Sequence, residues 1–226
     1  MGLAKYTGCD QKYYQKLHDE HPAFQNNNWM LTEIEALRLY GASTLIEIGC
    51  GNGKFLSAAA NSFRLLTGID WARAPAIDEV IRCNKNVTFI QSDLIAGFPP
   101  VEPADLLVSA DFLEHLPTDS LLNCLRRYHD KASFHFHKIA CYDDGHSHLS
   151  ILEPVDWLEI FKSISNDYIV FSLEKRLGDR SKQVCCITNH NPYDGKNAIG
   201  RLNAIESSNS WKITAPYRKI VGKFRR

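Results

Sequence analysis

Apolar runs of strand length alternate with stretches of helical periodicity from about residue 41 to residue 190. Thr44–Ile48, Leu65–Ile69, Val87–Ile90, Ala104–Val108 and Ala132–Ile139 are short apolar runs bounded by Gly, Asn, Asp or Pro, which predicts five strands. Helices are expected between them, near 53–62, 73–83 and 118–130. Strand and helix in alternation argue for a parallel sheet with right-handed crossovers. A helix near 154–165 leads to two further runs, Asp167–Glu174 and Gln183–Asn189, which predict an edge hairpin. The expected fold class is therefore α/β: a Rossmann-like, seven-stranded, mostly parallel sheet with an antiparallel edge strand and helices on both faces. Ahead of it, Tyr13, Tyr14, Leu17, Ile34, Leu37 and Leu39 are the apolar positions of one or two helices, interrupted at His21-Pro22 and at Asn26–Asn28.

The joint between the first strand and its helix, Glu47-Ile48-Gly49-Cys50-Gly51-Asn52-Gly53, carries the clearest chemistry. Three glycines at alternate positions let the backbone turn sharply and approach a ligand, with the amides that open the next helix facing the space above the sheet. Dinucleotide folds prefer Gly-x-Gly-x-x-Gly, whereas the last position of that pattern is Lys54 here and the glycine falls at 53. Glu47 suits a ligand bearing a positive amino or sulfonium group. Asp70 ends the second strand about 20 residues on, where a carboxylate can hold a ribose diol; Asp93 ends the third. Together with Ala104–Pro117, which contains Asp111, Phe112 and Leu113-Glu114-His115-Leu116, these segments resemble the class I S-adenosylmethionine-dependent methyltransferases over roughly residues 43–117.

The resemblance implies S-adenosylmethionine as cofactor. It implies contacts to it from Glu47, Gly49, Cys50, Gly51, Gly53, Asp70, Trp71, Asp93, Leu94, Asp111 and Phe112, with Asp93 and Leu94 at the adenine. It makes residues 1–40 an N-terminal helical lid and residues 41–190 the methyltransferase domain. The competing reading takes the acids as polar strand ends of another doubly wound fold.

Composition narrows the setting. The 226 residues can bury roughly 70 per cent of their unfolded surface, enough for one three-layer domain with extensions. No apolar run is long enough to span a membrane, and Met1–Tyr6 lacks the apolar core of a signal peptide. Seven cysteines without a metal-type pair suit a reducing, cytoplasmic compartment. Cys185-Cys186 point to opposite faces of one strand, and Cys50 is expected as a small residue facing the cofactor.

The formal charge of zero hides an asymmetry. Lys212, Arg218, Lys219, Lys223, Arg225 and Arg226 stand in a tail without acids, leaving 20 basic and 26 acidic residues before it. Tyr217, Ile220, Val221 and Phe224 would form one apolar stripe on a helix opened by Pro216. Residues 191–210, rich in Asn, Gly and Ser, are expected as a linker to a basic amphipathic tail at 211–226. That tail fits peripheral attachment to the inner face of the cell membrane, a glycan-assembly complex, or packing on the domain itself. Ser207–Arg218 is similar to a tail of bacterial enzymes that build surface polysaccharides such as lipopolysaccharide and capsule, sugar methyltransferases among them.

Methyl transfer from a sulfonium is an in-line displacement, and an acceptor hydroxyl must lose its proton as the bond forms. His148 is the first choice for general base, because a histidine ahead of a Pro-x-x-Trp helix start resembles a feature of sugar-modifying methyltransferases; His115 is the second. The expected metal is none. The alternative is a divalent ion held by His135, His137, Asp143, Asp144, His146 and His148, since some sugar O-methyltransferases use magnesium. Three functions stay open: O-methylation of a sugar or phosphate group on a bacterial surface glycan or its precursor, methylation of a small metabolite or lipid, and a noncatalytic adaptor with a methyltransferase fold. Nucleic acid is disfavoured, because the main domain is acidic and lacks the Asn-Pro-Pro-Tyr or Asp-Pro-Pro-Tyr wording of base methylators.

Overall fold

The structure, a computed structural model, describes residues 9–193. Seven strands form one sheet: β1 (Thr44–Ile48), β2 (Leu65–Asp70), β3 (Val87–Gln91), β4 (Ala104–Ala110), β5 (Ala132–Ala140), β6 (Ile169–Lys175) and β7 (Gln183–Thr188). Their order is β3-β2-β1-β4-β5-β7-β6. The first five are parallel, and β7 runs antiparallel between β5 and β6. The antiparallel edge is thus a hairpin whose inner strand is the reversed one and whose outer strand, β6, is the edge.

The helices are α1 (Gln11–Glu20), α2 (Pro22–Asn26), α3 (Ile34–Arg38), α4 (Lys54–Ala59), α5 (Ile77–Cys83), α6 (Thr118–His129) and α7 (Pro154–Lys162). Their starts follow local chemistry. Asp10 caps α1 by accepting the Tyr13 N–H at 2.9 Å, and Pro22 and Pro154 open α2 and α7, where no backbone donor is missed. No helix among the described residues is long and apolar enough to cross a membrane.

Alternation along β1 splits the core. Leu45 packs with Phe55, Leu56, Phe63, Leu66, Ile77 and Phe136, while Ile46 and Ile48 pack with Ile69, Leu121, Leu125, Tyr128, Trp157 and Phe161. Met30, Leu37 and Tyr40 belong to the first of these clusters, so the segment before β1 divides: its second half is core, and α1 and α2 stand over the carboxyl ends of the strands. Lys138 on β5 fixes that arrangement. Its buried Nζ lies 2.7 Å from Glu33 and 3.0 Å from Glu174, joining the N-terminal segment, the sheet and its edge strand. Leaving either partner charge alone in such a place would be costly.

His135 and His137 share a face of β5, as their spacing requires, but both are spent on packing. His135 Nε2 donates to the carbonyls of His129 and Ala132, each at 3.1 Å, and His137 Nδ1 sits 2.8 Å from Ser109 Oγ beside the Phe161 ring. They do not join His146 and His148, so the six-residue ion cluster considered from sequence does not assemble. The linker expected from residue 191 and the tail at 211–226 lie, apart from residues 191–193, outside the described residues.

Burial lowers the pKa of His135 to about 4 and holds that of His137 well below the histidine range. A histidine kept neutral by the fold stabilises it fully above its unfolded pKa of about 6.5, and that stability is lost as pH falls toward the folded value. Thermal melts between pH 7.5 and 4.5 should therefore show a progressive loss, on the order of 3 kcal/mol from His135 alone at the acid end. His135→Gln, which keeps an N–H donor without a titrating ring, should flatten that slope; an unchanged slope would place the acid sensitivity elsewhere.

Candidate active site

Strand order reverses between β1 and β4, and a crevice opens there above the carboxyl ends of the strands. A cavity of about 380 Å³ fills it. Of the residues expected from sequence, Gly49, Cys50, Gly51, Asp70, Trp71, Asp93, Leu94, Asp111, Phe112, His115 and His148 line it, whereas Glu47 and Gly53 do not.

The three glycines serve different ends. All have positive φ: 69° at Gly49, 50° at Gly51 and 69° at Gly53. A Cβ on Gly49 would come 2.6 Å from the Phe112 ring, and one on Gly53 would come 2.7 Å from Ile77. Those two glycines are needed for packing. A Cβ on Gly51 would meet only the His18 ring, at 3.3 Å, so Gly51 is the least obstructed of the three and the point where the backbone can meet a ligand. Gly68 on β2 completes the turn: a side chain there would collide with Leu56 and with Cys50 Sγ. The Cys50 thiol is accordingly packed against Gly68 and the residue is fully buried, while it still belongs to the cavity lining.

The helix-opening amides also differ from expectation. Lys54 N–H is capped by Asn52 Oδ1 at 3.0 Å, and Gly53 N–H bonds to the Cys50 carbonyl. Asn52 in turn donates to the carbonyls of Phe24 and Asn27 at 2.9 and 2.8 Å, tying the turn to the segment above it. Asp70 accepts from Gly51 N–H at 2.8 Å and Ala72 N–H at 2.9 Å, and Asp93 closes the turn after β3 by accepting from Ile95 at 2.9 Å. Ionised carboxylate oxygens carry further lone pairs, so both acids can still accept from a ligand.

Glu47 is 2 per cent exposed, and its Oε2 has no partner. Burial raises its pKa well above the carboxyl range, the Asn28 side chain opposes that, and Asp70 adds to it. β1 thus carries, outside the cavity lining, a buried carboxyl with one unpaired oxygen.

Helix α1 roofs the cavity. On one side Gln11 donates to the Trp71 carbonyl at 3.0 Å, and Gln15 pairs with both backbone groups of Arg73 at 2.9 Å. On the other, Tyr13 Oη meets His146 Nδ1 at 2.8 Å. Tyr14 lies between, 6.2 Å from the Trp71 ring and 5.8 Å from that of His115.

The opposite wall comes from the turn after β4 and the loop 141–153. Asp111 adopts φ 54°, a conformation non-glycine residues rarely take. Glu114 is fully buried; its Oε1 accepts the Ala140 N–H at 2.7 Å and its backbone carbonyl accepts from Leu149 and Ser150. Burial and the charge of Asp111 hold its carboxyl well above the usual range. His148 donates Nδ1–H to the Tyr142 carbonyl at 2.6 Å, which leaves Nε2 3.8 Å from both Asp111 and Asp144. Burial alone would lower its pKa, but Asp111, Glu114, the Tyr142 carbonyl and Asp144 outweigh it and raise the value to about 9. His115, 4.9 Å away between ring centroids, donates to the Ser147 carbonyl at 3.1 Å; burial lowers its pKa. Donor atoms of Asp111, His115 and His148 lie within 4.8 Å of one another.

Residues 46–132 match the family model described as a methyltransferase domain. No curated protein matches the chain by sequence comparison. Among solved structures, the chain is similar to the Burkholderia thailandensis 1,6-didemethyltoxoflavin-N1-methyltransferase with bound 1,6-didemethyltoxoflavin and S-adenosylhomocysteine, at 12% identity and TM-score 0.65 over 78% of this chain and 84% of that one. It is similar to the N-methyltransferase NodS of Bradyrhizobium japonicum WM9 in complex with S-adenosylhomocysteine, at 17% identity and TM-score 0.58 over 79% and 97%. The magnesium protoporphyrin IX methyltransferase of Synechocystis PCC 6803 with the same ligand gives 13% identity and TM-score 0.58 over 79% and 97%. The fold is the Rossmann-like methyltransferase fold, and the family match over β1 to the start of β5 supports an S-adenosylmethionine-dependent methyltransferase.

Proposed function

We propose that the protein transfers a methyl group from S-adenosylmethionine to an oxygen of a sugar or phosphate group on a bacterial surface glycan or its precursor. The observation that carries the methyltransferase reading is one cavity with Gly51, Asp70 and Asp93 on one wall and the Asp111–His148 pair on the other. Gly51, the least obstructed glycine of the turn, fits the close approach of a nucleoside, and the unpaired Glu47 oxygen two residues before Gly49 fits a positive charge on it. Asp70 would hold its ribose, and Asp93 and Leu94 would border its base. The cofactor supplies an electrophilic methyl group; the chain's own work is to orient the acceptor and take its proton.

His148 suits that second task. Its donated Nδ1–H leaves Nε2 facing Asp111, which stabilises the imidazolium formed when the acceptor hydroxyl gives up its proton. His115 shapes the wall beside it. A glycan acceptor is supported by the likeness of Ser207–Arg218 to surface-polysaccharide enzymes, and the tail would attach the enzyme to an anionic surface. The second reading, a small-metabolite acceptor, is favoured by the roof that α1 places over the cavity. The decisive experiment is mass spectrometry of co-purified ligands, followed by methyl transfer assays on nucleotide sugars, lipid-linked glycans and small phenols.

Asp70→Ala should weaken S-adenosylhomocysteine binding by tenfold or more in calorimetry, since it removes both the ribose acceptor and the anchor of Gly51; an unchanged affinity would remove Asp70 from the site. With a hydroxyl acceptor, His148→Ala should lower kcat and kcat/KM together by roughly 10² to 10⁴ while cofactor affinity holds; with a phosphate oxygen, already ionised, the effect should shrink to positioning. With a pKa near 9 the base form is a minority at neutral pH, so wild-type turnover should climb between pH 7 and 9. A fully active His148→Ala enzyme would place proton removal elsewhere. The tail makes a separate prediction: full-length protein should sediment with anionic vesicles at low salt and release at high salt, each cation near the surface contributing on the order of 1 kcal/mol. A chain ending near Asn209 should lose that binding and keep its cofactor affinity.

A further inference from the structure

Among the described residues that line the cavity, Arg176 is the only lysine or arginine. It stands on the hairpin that joins β6 to β7, where Lys175, Arg176, Arg180 and Lys182 are set against a single acid, Asp179. The Asp179 carboxylate is taken up by the Ser181 amide and hydroxyl, at 2.9 and 2.7 Å. Lys182 Nζ lies 6.0 Å from the centre of the Tyr142 ring, which also lines the cavity. A local excess of cations thus borders the cavity, in a chain that carries more acids than bases before its tail.

The Arg176 guanidinium lies 4.1 Å from the centre of the Trp29 ring, and its charge opposes the rise in pKa that burial imposes on the Tyr142 hydroxyl. Among the described residues its donors meet no carboxylate and no carbonyl, whereas Arg38, Arg73 and Arg82 each pair with an acid. The stack is not needed to fasten the hairpin. Two residues earlier, Glu174 already pairs with the buried Lys138, which also holds Glu33 at the end of the helical turn Trp29–Glu33. One buried cation therefore fixes both the aromatic platform and the residue that rests on it. Arg176 reaches the cavity on a preset frame with its N–H fork unspent, and a planar fork of donors over an aromatic face matches the oxygens of a phosphate. The acids of the lining do not compete for that place. Asp70 and Asp93 are tied into the turns after β2 and β3, and Asp144 accepts three loop amides and the Ser147 hydroxyl.

We propose that Arg176, stacked on Trp29, binds a phosphate group carried by the methyl acceptor, so that the acceptor is a phosphorylated sugar compound and not a neutral one. This rests on the methyltransferase reading above and names the class of its acceptor. The phosphate is a handle: holding it fixes the acceptor in the cavity and leaves His148 free for the oxygen that is methylated. A soluble sugar phosphate and a lipid-linked one present the same group to Arg176.

The test is calorimetry on the full chain saturated with S-adenosylhomocysteine, titrated with glucose, with glucose 1-phosphate and with a polyprenyl phosphate in neutral detergent micelles. Glucose should not bind, and at least one phosphate should; which of the two binds separates a soluble source from a lipid-borne one. Arg176→Gln should weaken that phosphate by tenfold or more and leave S-adenosylhomocysteine affinity unchanged, while Arg176→Lys, which keeps the charge without the fork, should recover part of the loss. Glucose binding as tightly as glucose 1-phosphate, an unchanged phosphate affinity in Arg176→Gln, or failure of both phosphates to bind a wild-type protein that holds S-adenosylhomocysteine would overturn the assignment and leave the methyltransferase reading intact. Wild-type protein that does not bind S-adenosylhomocysteine would overturn both.

Discussion

One buried carboxyl sets the geometry of the cavity wall that carries His115 and His148. Glu114 accepts the last β5 amide before the loop through its side chain and two loop amides through its carbonyl. Three segments are thereby held in fixed register: the turn after β4, the end of β5 and the loop that returns over them. Ser150 adds a bond to the Leu116 carbonyl. This is why two histidines 33 positions apart bring their rings to 4.9 Å, with Asp111 between the same walls. The constraint works because the carboxyl is disfavoured as a charge in the core. A protonated acid is far less costly to bury than an ionised one.

The wall at the glycine turn is built differently, by backbone conformation rather than by a side-chain clamp. Positive φ at three glycines, a fourth glycine beneath them and a cap from Asn52 shape the turn, and Asp70 pins its middle amide. The two walls touch at one place. Phe112 sits against Gly49 so closely that no side chain could replace the glycine's hydrogen. A disturbance of either turn is therefore felt in the other, although 63 positions separate them.

The sheet, the helices and most of the cavity were legible because their signals are local. Period-two alternation in β1, the glycine spacing and the acids at strand ends each lie within a few residues. Asp70, Asp93, Asp111, His115 and His148 all reach the cavity for that reason. What escaped depends on distant partners. Lys138 reads as a stray charge in an apolar run until Glu33, 105 positions earlier, is seen against it. Asn52 looks like a spacer between glycines, yet it binds carbonyls 25 and 28 positions back. Glu114 stood in the shadow of His115, because nothing in Leu-Glu-His-Leu tells which residue turns inward. His135 and His137 had the spacing of ligands, but Ser109 and two carbonyls had already claimed their nitrogens.

The roof over the cavity is fastened unequally. Toward Trp71 and Arg73 it is held by glutamines that grip main chain, partners that cannot rotate away. Toward the loop it rests chiefly on the Tyr13–His146 contact between two side chains, with Cys9 touching the His146 carbonyl at 3.5 Å. The two ends of the roof therefore differ in what would loosen them: the latch toward the loop depends on the rotamers of Tyr13 and His146, whereas the grip on Trp71 and Arg73 involves main chain that no side-chain rotation can remove.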